Sequence, residues 1–154
     1  MQLLVGPLLR RVSGDRATIW VETSEPATVE VRAGTAGGAA RTFTAFGHHY
    51  ALVVVDGLPP GAVTPYQVLL DGQVVWPPAG SPYPPSVIRT RPPDAPVRLV
   101  FGSCREATRR ASKRSYPPDA LDEYALRLAR SADPLRDWPD SLLLLGDQVY
   151  ADET

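Results

Sequence analysis

Residues 1–90 carry the two-residue periodicity that is typical of half-buried β-strands. In ATVEVR, Val29 and Val31 point to one side of the predicted strand and the polar residues around them point to the other. Such segments are rich in β-branched residues and are separated by Gly, Pro and Asp, at sandwich-like spacing. They are ATIWVET (Ala17–Thr23), ATVEVR (Ala27–Arg32), HYALVVVDGL (His49–Leu58) and YQVLLDG (Tyr66–Gly72). The pattern predicts an all-β sandwich.

One of these segments has an ambiguous pattern of faces. In ATIWVET, Ile19 and Val21 form one side, which leaves Trp20 on the other side with polar neighbours. Trp20 is therefore predicted to be either a core residue or a contact to a second domain.

A proline-rich passage separates the predicted sandwich from the rest of the chain. VIRT (Val87–Thr90) is the expected last strand, and RPPDAP (Arg91–Pro96) is the expected linker. Proline stiffens a linker and blocks both helix and central strand, so this joint should be semi-rigid. The predicted organisation is a sandwich over residues 1–90, a linker over 91–96 and a second domain over 97–154.

Residues 97–154 show the pattern of a strand, a helix and a second strand. VRLVF (Val97–Phe101) is a short apolar run, and SLLLL (Ser141–Leu145) is apolar without alternation, as expected for a strand covered on both faces. PPDALDEYALRLARSA (Pro117–Ala132) has apolar residues at helical spacing, with Asp119 as the expected N-cap. This order predicts a βαβ unit with parallel strands, the beginning of an α/β domain.

Composition and charge narrow the classes of function. The chain has 154 residues, a formal net charge of -1, 44% hydrophobic residues and 21% charged residues, so bulk charge favours neither a nucleic-acid nor a membrane partner. A single cysteine excludes an intrachain disulfide. No apolar run approaches the roughly 20 residues of a membrane span, and the N-terminus lacks the pattern of a signal peptide, so a cytoplasmic location is expected.

Residues that could be catalytic or bind a metal follow each of the two predicted parallel strands. Because ligands bind at the carboxyl ends of such strands, FGSCR (Phe101–Arg105) and GDQVYAD (Gly146–Asp152) should meet at one edge. Cys104 and Asp147 are then neighbours, and Tyr150 can reach the same space. Thiolate, carboxylate and phenolate are anionic ligands that suit oxidised iron better than zinc. A carboxylate can also bridge two ions, as in the metal pairs used for phosphoryl displacement.

The same residues also admit structural interpretations. Cys104 could be a small buried hydrophobe, Gly146-Asp147 a simple strand-to-loop turn, and Tyr150 an ordinary strand residue. Other polar groups fit solvated or structural positions, although the basic run among them could also attract a phosphorylated substrate and its Arg105 could hold a phosphoryl oxygen. They are the basic run Arg105, Arg109, Arg110, Lys113 and Arg114, the acids Asp152 and Glu153, the pair His48-His49, and Tyr66.

The stretch LPPGAVTPYQV (Leu58–Val68) resembles the corner between strands E and F of a fibronectin type III domain. In that family a Leu, a Pro-Gly and a Tyr turn the chain between the two sheets. The resemblance implies an immunoglobulin-like or fibronectin-III-like sandwich of seven strands, in which the hydroxyl of Tyr66 caps the corner. By itself it implies no chemistry.

The later motifs resemble the PhoD-like branch of the metallophosphoesterases, enzymes related to alkaline phosphatase D. Phe101–Arg105 is similar to the first motif of that family, and Gly146–Tyr150 is similar to its second. The resemblance implies that Cys104 and Tyr150 bind Fe³⁺ and that Asp147 bridges the iron to a divalent ion, often Ca²⁺. A sandwich ahead of the catalytic domain is also that family's arrangement. GDQVYAD is similar to a purple acid phosphatase motif as well, but those enzymes have an Asp-containing first motif.

The implied function is a metal-dependent phosphoesterase that hydrolyses phosphomonoesters or phosphodiesters at a two-metal site. The family also uses a Gly-Asn-His segment, a further Asp and later His or Asn ligands, which this sequence does not contain. The chain is therefore expected to be the N-terminal portion of a longer enzyme, truncated and inactive alone. The alternatives are a non-catalytic fibronectin-III-like binding module and an inactive fragment.

Overall fold

The computed structural model describes residues 1–92, 94–104, 119–133 and 137–147. The chain divides into two compact units, Met1–Ala95 and Pro96–Thr154. The division falls inside the proline-rich segment 91–96. Each unit is described in turn.

The first unit is an antiparallel β-sandwich. Residues 1–92, all of which are described, form ten strands rather than the seven that the fibronectin-III resemblance implied. The strands are β1 Leu3–Ser13, β2 Arg16–Thr23, β3 Thr28–Ala33, β4 Ala36–Arg41, β5 Phe43–Ala45, β6 His48–Val55, β7 Val63–Pro65, β8 Gln67–Leu70, β9 Gln73–Trp76 and β10 Val87–Arg89. Two four-stranded sheets have the orders β1-β2-β6-β5 and β4-β3-β8-β9, and β10 pairs with β7 in a small third sheet. Every pairing is antiparallel.

The core of the sandwich comes from alternate residues of both large sheets. Ile19, Val21 and Val53 of the first sheet are fully buried, and they belong to one cluster with Val29 and Val31 of the second. The alternation predicted for ATVEVR is therefore confirmed, and the expected all-β sandwich is present. Burial of these side chains is the main source of stability, since each contributes about 1.5–3 kcal/mol relative to an exposed position.

Trp20 lies on the outer side of its sheet. Its neighbours Ile19 and Val21 point into the core, and the Trp20 ring stacks on Tyr50 with ring centroids 5.4 Å apart. Of the two predicted roles for Trp20, the core role is wrong, because adjacent residues of a strand must point to opposite faces.

Strand β4 has a sequence, AGGAAR, that did not predict a strand. The amide of Gly37 donates to the Asp56 carbonyl over 3.3 Å, and the Asp56 amide donates back to the Gly37 carbonyl over 3.1 Å. A Cβ on Gly38 would lie 1.8 Å from the carbonyl oxygen of Val54. Glycine therefore permits the close approach of β4 to β6, and long-range packing rather than β-propensity makes this segment a strand.

The corner around Tyr66 is buried, as its predicted structural role requires. Leu58 and Tyr66 have almost no exposed surface, and the Tyr66 amide donates to the Ser86 carbonyl over 3.1 Å. Burial raises the pKa of the Tyr66 phenol, while a side-chain hydrogen bond with Ser86 acts in the opposite direction. The hydroxyl of Thr90 accepts a hydrogen bond from the Ala62 amide over 3.0 Å and so closes the other side of the corner.

The second unit contains β11 (Leu99–Gly102), α1 (Ala120–Ala129) and β12 (Ser141–Leu144). Strands β11 and β12 pair in parallel. The predicted cap of the helix is confirmed, since Oδ1 of Asp119 accepts a hydrogen bond from the Leu121 amide over 2.8 Å. The Trp138 indole donates to the Leu128 carbonyl over 2.9 Å, which ties the end of α1 to the segment before β12.

The apolar strand β12 is exposed. Leu142, Leu143, Leu144 and Leu145 keep between 46% and 58% of their surface. The expectation of a strand covered on both faces is thus wrong for the described part of this unit, in which no residue is buried. A two-stranded sheet cannot cover itself, because parallel sheets are normally buried by helices and further strands.

We expect the first unit to fold without the second. Every buried residue among the described parts of the chain lies between Ala17 and Thr90, so residues 1–95 should unfold cooperatively when expressed alone. Residues 96–154 alone should show no cooperative transition. Thermal unfolding followed by circular dichroism checks both fragments, and a cooperative transition found only in residues 96–154 would reverse this assignment of the folding unit.

The Gly38→Ala substitution should destabilise the sandwich by about 3 kcal/mol, because the new methyl group meets a backbone carbonyl and not a movable side chain. The matched control is Gly102→Ala, where a Cβ meets no atom within 4 Å. It should change stability by less than about 0.5 kcal/mol. Urea unfolding measures both, and equal stability of the two variants would show that β4 can move away from β6.

Candidate functional site

Cys104 and Asp147 meet at one edge of the parallel pair. The register aligns Gly102 of β11 with Leu144 of β12, so the chain leaves both strands at the same level. The sulfur of Cys104 lies 3.4 Å from Oδ2 of Asp147, although the two residues are 43 positions apart in the sequence. The structure therefore brings these two predicted site residues together.

Backbone hydrogen bonds continue the pairing beyond the strand ends. The Leu145 amide donates to the Gly102 carbonyl over 2.9 Å, and the Cys104 amide donates to the Gly146 carbonyl over 3.3 Å. The two loop starts are thus joined by their main chains, and the closeness of the two side chains does not depend on side-chain contact alone.

The backbone at this edge adopts the left-handed region at three positions. The φ angles are 60° at Cys104, 117° at Gly146 and 51° at Asp147. Left-handed backbone costs a residue other than glycine of the order of 1–3 kcal/mol, and such positions cluster at functional sites. Glycine supplies this conformation without a steric penalty at position 146. Left-handed backbone at Gly146 and Asp147 bends the chain after β12 and places the carboxylate beside the thiol.

The donor atoms of this pair are accessible and suitably spaced. Cys104 is exposed, so its alternative interpretation as a small buried hydrophobe is wrong. Bonds of about 2.0–2.3 Å to one ion place two ligand atoms about 3–4 Å apart, and the observed separation of 3.4 Å falls in that range. The Ser103 hydroxyl lies 3.5 Å from the sulfur. The pair fits two adjacent ligands of a cation.

The rest of the predicted site cannot be placed. Arg105 and Tyr150 lie outside the described residues, as do the remainder of the basic run, Asp152 and Glu153. In the described part of the chain, no group of three or more His, Cys, Asp or Glu residues is arranged to hold a metal ion. Of the predicted metal ligands, the structure describes Cys104 and Asp147.

The two histidines belong to the sandwich. Nδ1 of His48 lies 2.6 Å from a carboxylate oxygen of Glu22, and Nδ1 of His49 lies 2.9 Å from the hydroxyl of Thr44. As neighbours at the start of β6 they point to opposite faces of the sheet. They do not share a ligand position.

Sequence reasoning did not identify an apolar surface on the sheet β1-β2-β6-β5. This surface, here called the outer apolar face, consists of Leu8, Trp20, Phe43, Tyr50, Leu52 and Val54. The sequence YALVVV of β6 could have indicated this surface, because its residues are apolar on both faces of the strand. A strand at the surface of a sandwich is expected to be polar on one face.

The helix α1 has ten residues, and across the ranges that the structure describes no helix is long and apolar enough to cross a membrane.

Comparison with known proteins places the sandwich in a family. No curated protein and no solved structure matches the chain. Residues 1–88 match a family described as "Domain of unknown function (DUF7800)". The match covers more than half of the chain, from the N-terminus into β10. The chain therefore belongs to the DUF7800 family.

Proposed function

We propose that this chain supplies the first ligands of a metal-dependent phosphoesterase of the PhoD-like, alkaline phosphatase D type. The observation that carries the proposal is the 3.4 Å separation of the Cys104 sulfur and the Asp147 carboxylate at the carboxyl edge of two parallel strands. In open α/β sheets ligands bind at that edge. A thiol and a carboxylate in contact there suit a cation better than they suit a structural turn.

The strand order of the two large sheets also supports the proposal. If β1 to β6 are lettered A, B, C, C′, D and E, and β8 and β9 are lettered F and G, the sheets read A-B-E-D and C′-C-F-G. Immunoglobulin-type sandwiches use the same division of strands. The first unit is then a fibronectin-III-like sandwich, and β11, α1 and β12 are the first βαβ unit of a metallophosphoesterase-like domain.

The proposed ligands have separate roles. The Cys104 thiolate, the Asp147 carboxylate and the Tyr150 phenolate would hold Fe³⁺, and the same carboxylate would also contribute to the site of the second ion, Ca²⁺. Arg105 holds an oxygen of the phosphate-ester substrate through charged hydrogen bonds. When bound, the metal pair supplies positive charge to the phosphoryl group during hydrolysis.

These residues do not complete a two-metal site. Two ions need more ligands than Cys104, Asp147 and Tyr150 can provide. The chain is accordingly proposed to be the N-terminal portion of the enzyme and to be inactive alone.

A non-catalytic binding module is the second candidate. The family match covers the sandwich alone, and the sandwich carries the outer apolar face, in which Leu52 keeps 48% of its surface. Exposed contiguous apolar surface of this kind marks interaction sites. This candidate requires no metal at Cys104.

The Cys104→Ser substitution separates the two candidates. The chain titrated with Fe³⁺ or Co²⁺ should develop a thiolate-to-metal absorption band, and the variant should lose that band and bind at least about tenfold more weakly. Asp147→Asn should also weaken binding but keep the band. The control is Glu123→Gln, which removes an exposed carboxylate of α1 and should change neither the band nor the affinity.

Binding of inorganic phosphate tests the proposed phosphoesterase function. The metal-loaded chain should bind phosphate, and the Cys104→Ser variant should not. Binding of metal without phosphate would support a cation site and contradict the phosphoesterase. Hydrolysis of p-nitrophenyl phosphate by this chain, abolished in the Cys104→Ser variant, would instead show that the site is complete without further ligands.

A further inference from the structure

The hydroxyl of Ser103 is a polar group at the candidate metal site to which the proposed ligand set gives no role. Its Oγ lies 3.5 Å from the sulfur of Cys104. The same sulfur lies 3.4 Å from Oδ2 of Asp147. Among the described residues, these two groups are the hydrogen-bond partners of the sulfur, so Ser103 and Asp147 define its polar surroundings.

The contact between the adjacent residues Ser103 and Cys104 depends on the backbone after β11. Neighbouring side chains of an extended strand point to opposite faces of the sheet. However, β11 ends at Gly102, and the backbone at Cys104 is left-handed, with a φ of 60°. The Cys104 amide also donates to the Gly146 carbonyl over 3.3 Å. The main chain therefore supports the position of the sulfur beside Ser103 and Asp147.

The chemistry of the three groups determines which of them can donate. A thiol has one hydrogen, which it can donate to the carboxylate of Asp147, whereas a hydroxyl both donates and accepts. When the thiolate and the carboxylate bind a cation, the sulfur carries no hydrogen and can only accept. In the described part of the chain, the group that is then placed to donate to the sulfur is the hydroxyl of Ser103.

Ionisation of the sulfur strengthens this contact. The sulfur of a neutral thiol is a weak acceptor, but hydrogen bonds to an ionised group are shorter and roughly twice as strong as those between neutral groups. Ser103 is exposed, and no other hydrogen bond within the described ranges engages its hydroxyl. The hydroxyl is therefore available to the thiolate.

A hydrogen bond to a coordinated thiolate changes the charge on the bound ion. It withdraws electron density from the sulfur, and hydrogen bonding around a Cys sulfur tunes the reduction potential of thiolate-bound metals. The reduced ion is favoured over the oxidised ion, because its thiolate is more negative and accepts the stronger hydrogen bond. An ion that receives less charge from the sulfur also keeps more positive charge for a phosphoryl oxygen.

We propose that Ser103 is a positioning residue of the metal site, whose hydroxyl donates a hydrogen bond to the coordinated thiolate of Cys104 and weakens the donation of charge from the sulfur to the ion. This inference rests on the proposed phosphoesterase function, because it requires an ion at Cys104 and Asp147. Ser103 acts through the sulfur and is not itself a ligand. It sets how strongly the site prefers the oxidised ion and how much positive charge remains for a phosphate ester.

The absorption spectrum of the Co²⁺-loaded chain tests this hydrogen bond. Ser103→Ala removes the donor and raises the energy of the sulfur electrons, so the thiolate-to-Co²⁺ band should shift to longer wavelength. Ser103→Thr keeps a hydroxyl and should leave the band at its wild-type position. The matched control is Ser141→Ala, which removes an exposed serine hydroxyl at the opposite end of the parallel pair and should not move the band. Circular dichroism checks that the variants fold alike.

The preference of the site for oxidised iron gives a second readout. In Ser103→Ala, the ratio of the Fe²⁺ dissociation constant to the Fe³⁺ dissociation constant should rise about tenfold. Ser103→Thr and Ser141→Ala should keep the wild-type ratio. A merely structural role of Ser103 would weaken the binding of both ions equally and leave the ratio unchanged. Redox titration of the iron-loaded chain measures the ratio.

Several outcomes would overturn the role of Ser103 and leave the Cys104–Asp147 site intact. They are a band that stays in place in Ser103→Ala, a band that shifts equally in Ser103→Ala and Ser103→Thr, and an unchanged iron ratio. Loss of an oxygen ligand in Ser103→Ala, measured by X-ray absorption, would also overturn it, since the hydroxyl would then be a ligand. A wild-type chain that develops no thiolate-to-metal band would instead contradict the proposed metal site, and the inference about Ser103 would fall with it.

Discussion

The parallel pairing of β11 with β12 decides where the candidate chemistry lies. Parallel strands end at a common edge, so residues that follow them come together however far apart they are in the sequence. The alignment of Gly102 with Leu144 leads directly to the contact between the Cys104 sulfur and the Asp147 carboxylate. Three features act together there: strand pairing, two further main-chain hydrogen bonds, and left-handed backbone at both Cys104 and Asp147. A shift of register by one residue would move the two donors apart.

The two units obey different physical constraints. The first unit buries apolar residues of both large sheets in one core. Hydrogen bonds of Tyr66 and Thr90 stabilise the corner between its sheets. The second unit exposes the leucines of β12 and buries none of its described residues. Among the described residues, therefore, both units expose apolar surface but only the sandwich encloses a core. The outer apolar face and β12 are two such exposed apolar surfaces.

Local patterns predicted the parts of the fold that local physics determines. The alternation around Val29 and Val31, the cap at Asp119 and the common edge of Cys104 and Asp147 follow from periodicity, capping and the geometry of parallel strands. The strand at AGGAAR could not be predicted, because its cause is the approach of Gly38 to the Val54 carbonyl, which is a long-range contact. The exposure of Leu143 was missed for a similar reason: an apolar run predicts a strand, but what covers the strand is not encoded in the run itself. Arg105 and Tyr150 remain predictions, since they lie outside the described residues.

The central claim is that Cys104 and Asp147 bind the same ion. X-ray absorption at the iron edge of the iron-loaded chain measures the ligand atoms directly. One sulfur atom in the first shell, at about 2.3 Å, is expected for the wild-type chain and for Asp147→Asn, with one oxygen ligand fewer in that variant. The sulfur should disappear in Cys104→Ser. A first shell that contains only nitrogen and oxygen in the wild-type chain would contradict the account.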